Sequence, residues 1–221
     1  MQDDSKIPRA VKVLRAAPLV LVVALATTVV LRSGPAAIRS YIESYRENAA
    51  LTALVILALF LFKSVSFGLP YTVLYLAVGH LFTLPIALAL NIIGIAVNMQ
   101  IPYFLGRYGN VAFIERLLHR ARFVRDFSQR DDNHPLIFSF LVKFIGVVPH
   151  EITNLLLGSL DIPYGRYLVG GILGLLPGMV TTTVAGASMA DPTSIQFILA
   201  VLAFALVMAL SYYLSRRTRK K

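Results

Sequence analysis

Two stretches of this chain are apolar enough for lipid, yet too short and too broken to cross it. "FKSVSFGLPYTVLYLAVGHLFTLP", residues 62–85, and "VKFIGVVPHEITNLLLGSLDIP", residues 142–163, are each interrupted by proline and each carry a lysine. The uninterrupted piece from Tyr71 to Phe82 has twelve residues. As a helix it reaches about 18 Å, against roughly 30 Å of hydrocarbon. Backbone that turns at such depth leaves polar groups unpaired, which is tolerated only where protein or a watery cavity surrounds it. The pattern predicts two re-entrant elements, over 49–82 and 136–160. Each enters the membrane, turns at Gly68 and Pro70 or at Pro149, and returns to the side it came from.

The two stretches also share landmarks in order. A lysine precedes a proline by six or seven residues (Lys63 and Pro70, Lys143 and Pro149), a glycine follows nine later (Gly79, Gly158), and a second proline closes each stretch (Pro85, Pro163). Internal duplication is the simplest account.

Composition agrees, since 57% of the 221 residues are hydrophobic and only 14% charged. That is far outside the range of a soluble domain and predicts an all-α polytopic membrane protein. Cysteine is absent, which excludes disulfides and thiolate chemistry and leaves the redox compartment unread. Four spans are predicted, over 16–31, 85–106, 164–188 and 194–214. A cleaved signal peptide is the competing reading for the first; the length of the run and the lack of an A-x-A site before a polar start favour a span. Residues 32–48 and the segment 107–135, with its six arginines, read as amphipathic surface helices. The chain divides into 1–48, a central domain over 49–190, and 191–221 with its basic tail.

A net charge of +10 raises the question of nucleic acid, but the basic residues lie between apolar segments, where topology explains them. With the N-terminus cytoplasmic, counting spans puts "RSGPAAIRSYIESYREN" outside, and the arginine-rich middle and "SRRTRKK" inside. The same count places the two re-entrant elements on opposite faces, an inverted repeat whose half-helices meet near the midplane. A bacterial plasma membrane, with both termini cytoplasmic, is the expected location.

Charge at that depth costs from about 2.5 to more than 10 kcal/mol per group. Lys143 and Glu151 are therefore expected to face a cavity, to pair with each other, or to neutralise. The half-helix starting at His150 points its positive end into the same place. With Lys63 and Lys143 it suits an anionic group such as phosphate, while His150 and Glu151 are natural proton carriers. The competing readings are structural: both lysines snorkel to the interface, Glu151 only balances Lys143, and Asn154 bonds a neighbouring helix. Asp161 and Arg166 suit a membrane boundary. His80, Asn91, Asn98 and Gln100 are weaker candidates. The G-x-x-x-G of Gly174 and Gly178 predicts close helix packing.

The stretches "GLPYTVLYLAVGHLF", "YFLGRYGN" and "VVPHEITNLLLGSLDIPYGRYLVGGILGLLPG" together resemble the DedA superfamily, also called the VTT or SNARE-associated domain family, over roughly residues 50–190. The resemblance implies movement of lipids between leaflets, as flippase or scramblase, of polyprenyl phosphates or phospholipids, in some members dependent on the proton-motive force. By position it points to Pro70, Gly79, Arg107, Pro149, Glu151, Asn154, Gly158 and Pro177. The chain departs from the pattern twice. No acidic residue lies near Pro70, where many bacterial members carry glutamate, and Lys143 stands where arginine is frequent; lysine lacks the planar fork that grips phosphate bidentately.

The expected partners are membrane lipids with an anionic phospholipid or polyprenyl-phosphate headgroup, with protons and self-association left open and no nucleic acid, cofactor or metal. A small-solute or ion transporter on the same scaffold and a non-transporting membrane organiser remain the alternatives. No H-E-x-x-H, G-x-S-x-G or P-loop pattern occurs, so an enzyme is not expected.

Overall fold

The computed structural model describes residues 48–65, 69–109, 134–146 and 148–219. The expected first span 16–31, the amphipathic helix 32–48 apart from its last residue, Gly68, and most of the segment 107–135 lie outside the described residues.

Seven α-helices and no strands occur among the described residues: α1 (Ala49–Lys63), α2 (Tyr71–Leu81), α3 (Leu84–Tyr108), α4 (Pro135–Ile145), α5 (His150–Ser159), α6 (Tyr164–Ala187) and α7 (Ile195–Arg219). Proline sets most of the starts. Pro70, Pro149 and Pro163 sit immediately before α2, α5 and α6, while Pro85 and Pro135 occupy the first turns of α3 and α4, where the missing N–H costs nothing. Among the described residues only α3, α6 and α7 are long and apolar enough to cross a membrane. The fifteen residues of α1 reach about 22 Å and the eleven of α2 about 16 Å, both short of a bilayer core.

The helix ends have local causes. Gly146 closes α4 in the left-handed region at φ 59°, which glycine adopts without steric cost. At the end of α5, Asp161 takes φ 55°, and the N–H groups of Asp161 and Ile162 return to the carbonyls of Gly158 and Leu157 at 3.1 and 3.3 Å. This is the paired hydrogen bonding of a Schellman cap, with Asp161 in its left-handed position. Ser194 caps α7 through Phe197 N–H at 3.2 Å. In the turn before it, the Asp191 carboxylate accepts from the Thr193 hydroxyl and N–H, which holds it below the usual carboxylate range.

The core comes from an exchange between the halves. Within each half the first helix lies against the long one, α1 on α3 and α4 on α6, but the short second helix crosses the long helix of the other half: α2 packs on α6 and α5 on α3. Both crossings use glycines in the same way. A Cβ on Gly79 would collide with the Thr183 carbonyl and one on Gly186 with the Leu76 carbonyl. Its counterparts are Gly158 against Tyr103 and Gly106 against Leu155. Gly94 against Phe60 and Gly174 against Phe140 repeat the relation once more. Tyr103 and Thr183, like Gly106 and Gly186, stand eighty positions apart. Duplication thus extends beyond the proline landmarks into the packing.

Such crossings hold backbones at van der Waals distance and depend on small residues, because lipid offers no hydrophobic drive for helix association. Gly158→Val is expected to destabilise by about 1–3 kcal/mol or more, read as a lowered unfolding temperature in detergent. Gly165→Ala, where a side chain meets nothing within 4 Å, should leave it unchanged.

Candidate functional site

Each break ends a helix on a lysine and begins the next one on a proline. Lys63 is the last residue of α1 and Lys143 lies in the last turn of α4. The first N–H groups of α2 and α5 have no helical acceptor, and no side chain caps either helix. The exchanged packing brings the two breaks face to face, with the rings of Tyr71 and His150 at 5.4 Å between centroids.

Across this junction Lys63 Nζ donates to Glu151 Oε1 as an ion pair between the halves, and it lies 4.0 Å over the Tyr71 ring. Lys143 takes another route. Its ammonium donates to the His150 carbonyl at 3.1 Å, to Thr153 Oγ1 at 2.8 Å and to Asn154 Oδ1. All three N–H donors are satisfied by neutral acceptors, and among the described residues no carboxylate is in ion-pair contact with this ammonium. Lys63, Lys143 and Glu151 are only 4, 2 and 6% exposed.

These contacts revise the expected pairing. Glu151 pairs with Lys63 rather than Lys143, and neither lysine snorkels. Asn154 does bond a neighbouring helix, through the Lys143 ammonium. The asparagines of α3 brace the junction: Tyr71 Oη donates to Asn98 Oδ1, Asn98 Nδ2 donates to the Phe60 carbonyl at 2.9 Å, and Asn91 Nδ2 donates to Thr183 Oγ1 at 2.9 Å.

A cavity of about 530 Å³ opens against the junction. Lys63, Pro70, Lys143, Pro149, His150 and Glu151 all line it, together with Tyr71, Thr72 and Tyr75 of α2. The Tyr75 hydroxyl, on a residue 4% exposed, has no hydrogen-bond partner, and neither have His150 Nδ1 and Asn154 Nδ2. Asn154 stands behind the cavity wall, as the ligand of Lys143.

Other expected residues lie elsewhere. Arg107 is not gathered into the junction: at the end of α3 it donates to Tyr103 Oη at 2.7 Å and faces Asp161 at 3.8 Å. Gly79 and Gly158 serve the helix crossings, and Pro177 sits inside α6, off the cavity. Gln100 accepts from Tyr164 Oη at 2.6 Å, and His80 borders a separate hollow between the ends of α2 and α6. Tyr71, Tyr75 and Thr153 were not foreseen as site residues. Their signal was the aromatic pair one turn apart directly after Pro70, and a threonine one place before Asn154. Among the described residues no three His, Cys, Asp or Glu side chains come together to hold a metal.

Breaking a buried pair strands the remaining charge, at a cost of about 3–5 kcal/mol, whereas replacing both partners by apolar groups is often neutral. Lys63→Ala should therefore destabilise by that amount in chemical unfolding, and Lys63→Met with Glu151→Met should recover most of it.

A family model described as the VTT domain matches residues 69–188. No curated protein and no solved structure matches the chain.

Proposed function

Because the chain belongs to the VTT domain family, the DedA or SNARE-associated superfamily of integral membrane proteins, we propose that it moves a lipid between leaflets by receiving an anionic headgroup at the junction of its two broken helices. The observation that carries this reading is Lys143. An ammonium 2% exposed, facing a cavity and in ion-pair contact with no carboxylate among the described residues, is costly at membrane depth. A phosphate drawn into the cavity offsets that cost. The unpaired N–H groups at the starts of α2 and α5 and the free Tyr75 hydroxyl supply further donors. The headgroup passes between the two breaks, and the far ends of its chains stay in the bilayer.

The Lys63 and Glu151 pair gives this site a means of proton coupling. A proton on Glu151 cancels its charge and releases Lys63, so the junction then holds two cations for one anion. Loss of the proton restores the pair and weakens the grip on the headgroup. The chemistry assigned to the site is binding and release, with no bond made or broken.

In the membrane, α1 with α2 and α4 with α5 form the two re-entrant hairpins, entering from opposite faces. The shortness of these helices and the meeting of their breaks support that arrangement. With the expected span over residues 16–31, which lies outside the described residues, the three long helices support four spans, and the basic segments support both termini in the cytoplasm of a bacterium. The chain has no cysteine, so single cysteines can be introduced on a clean background. One after Lys221 should react only with the cytoplasmic face, and labelling from outside would overturn the orientation.

The function is tested in proteoliposomes that carry fluorescent phosphatidylglycerol or a polyprenyl phosphate in one leaflet. Label should redistribute with the wild-type chain, more slowly with Lys143→Ala, and with Glu151→Gln the rate should lose its dependence on a pH gradient. Unchanged rates in both variants would reject the site. Uptake of inorganic phosphate without lipid movement would transfer it to a soluble anion.

A further inference from the structure

The headgroup junction occupies only one end of the cavity. The other end runs between α6 and α7 and is walled by Leu175 and Met179 on one side and by Phe204, Val207 and Met208 on the other. A free anion makes no use of such a wall. A hydrocarbon chain attached to that anion does, since each buried methylene contributes about 0.8 kcal/mol.

Gly178 supplies the second observation. Its G-x-x-x-G partner Gly174 is packed against Phe140 and Lys143, as expected of a close crossing, but a Cβ on Gly178 would meet nothing within 4 Å. Gly178 lines the cavity, so its missing side chain leaves free volume instead of permitting contact with another helix. The opposite wall is lightly attached. Only 6% of the apolar stretch of α7 is buried, and Ser211 ties it to the core by reaching the carbonyls of Phe144 and Ile145, at 2.9 and 2.8 Å, where α4 ends. Both carbonyls belong to the same break that carries Lys143. Helix α7 lies beyond residues 69–188, so this wall is supplied from outside the matched domain.

We infer that the space between Gly178 on α6 and Phe204, Val207 and Met208 on α7 is a slot for the hydrocarbon chain of the lipid, for the carbons nearest the headgroup held at Lys143. The inference rests on the headgroup reading above and adds to it a chain subsite, whose outer wall is α7. Phospholipid and polyprenyl phosphate share the required chemistry, a hydrocarbon chain joined close to a phosphate.

The test uses the full chain in liposomes with two photoreactive lipids, phosphatidylglycerol and a polyprenyl phosphate, each with a diazirine on the first carbons of the chain. Crosslinked peptides are located by mass spectrometry. Label is expected at Gly178–Thr182 and on Phe204, Val207 and Met208. Gly178→Leu should reduce it about tenfold, the factor given by excluding two chain methylenes. Gly178→Ala should have a smaller effect in the same direction and serves if the leucine variant fails to fold. The lipid that labels the slot more strongly identifies the preferred chain. Label confined to outward residues such as Leu202 and Leu206 and indifferent to position 178 overturns the slot. If label still reaches the α2 residues Tyr71–Tyr75 in that case, the headgroup reading survives alone. Slot labelling that ignores Lys143→Ala supports the slot and overturns the headgroup reading.

Discussion

Everything at the centre of this structure depends on the ion pair between Lys63 and Glu151, the buried one of the two opposite-charge contacts that join the halves among the described residues; the other, Arg107 with Asp161 at 3.8 Å, is exposed at the far end of α3. A carboxylate and an ammonium at membrane depth are tolerable only together. Their pairing fixes the separation of the two breaks and leaves the second ammonium, Lys143, beside them with neutral partners. The cavity is the space that results. Its polarity follows from the two proline breaks, and its position from the helix exchange that brings them together.

That exchange also explains why the crossings are made of glycine. If each short helix packed within its own half, the two breaks could separate as independent bodies. With α2 seated on α6 and α5 on α3, each half supplies a wall to the other. Glycines at Gly79, Gly106, Gly158 and Gly186 let these crossings close to backbone contact, where dispersion and backbone proximity replace a hydrophobic drive.

The architecture was legible because its signals are lengths and breaks. Apolar runs of 22, 25 and 21 residues predicted spans that the helices Leu84–Tyr108, Tyr164–Ala187 and Ile195–Arg219 match within a few positions, and proline marked the helix starts. The duplicated landmarks named Lys63, Pro70, Lys143 and Pro149 before any geometry was known, and all four line one cavity. Pairing was not legible in the same way. Sequence distance favours Lys143 for Glu151, eight positions away, whereas Lys63 is 88 away and becomes a neighbour only through the exchange of short helices. Arg107 was pointed to by the resemblance alone, and its position at the end of α3 ties it to the cap of α5, away from the junction. Tyr75 and Gly178 carried no chemical signal on their own and gained meaning only from the empty space they face.

The repeat itself accounts for the choice of partners. Counting from the prolines, His150, Glu151, Thr153 and Asn154 correspond to Tyr71, Thr72, Leu74 and Tyr75. Lys143 therefore finds a hydroxyl and an amide within its own half, while Lys63, with leucine and tyrosine in those places, has to reach across to Glu151. The reciprocal reach from Lys143 would end on Thr72, which carries no charge. The junction thus holds two ammonium groups and one carboxylate, because a lysine stands before each proline but an acid follows only Pro149. An acid after both prolines would give each lysine an ionic partner; with Thr72 in one of those places, Lys143 is left without an ion pair among the described residues.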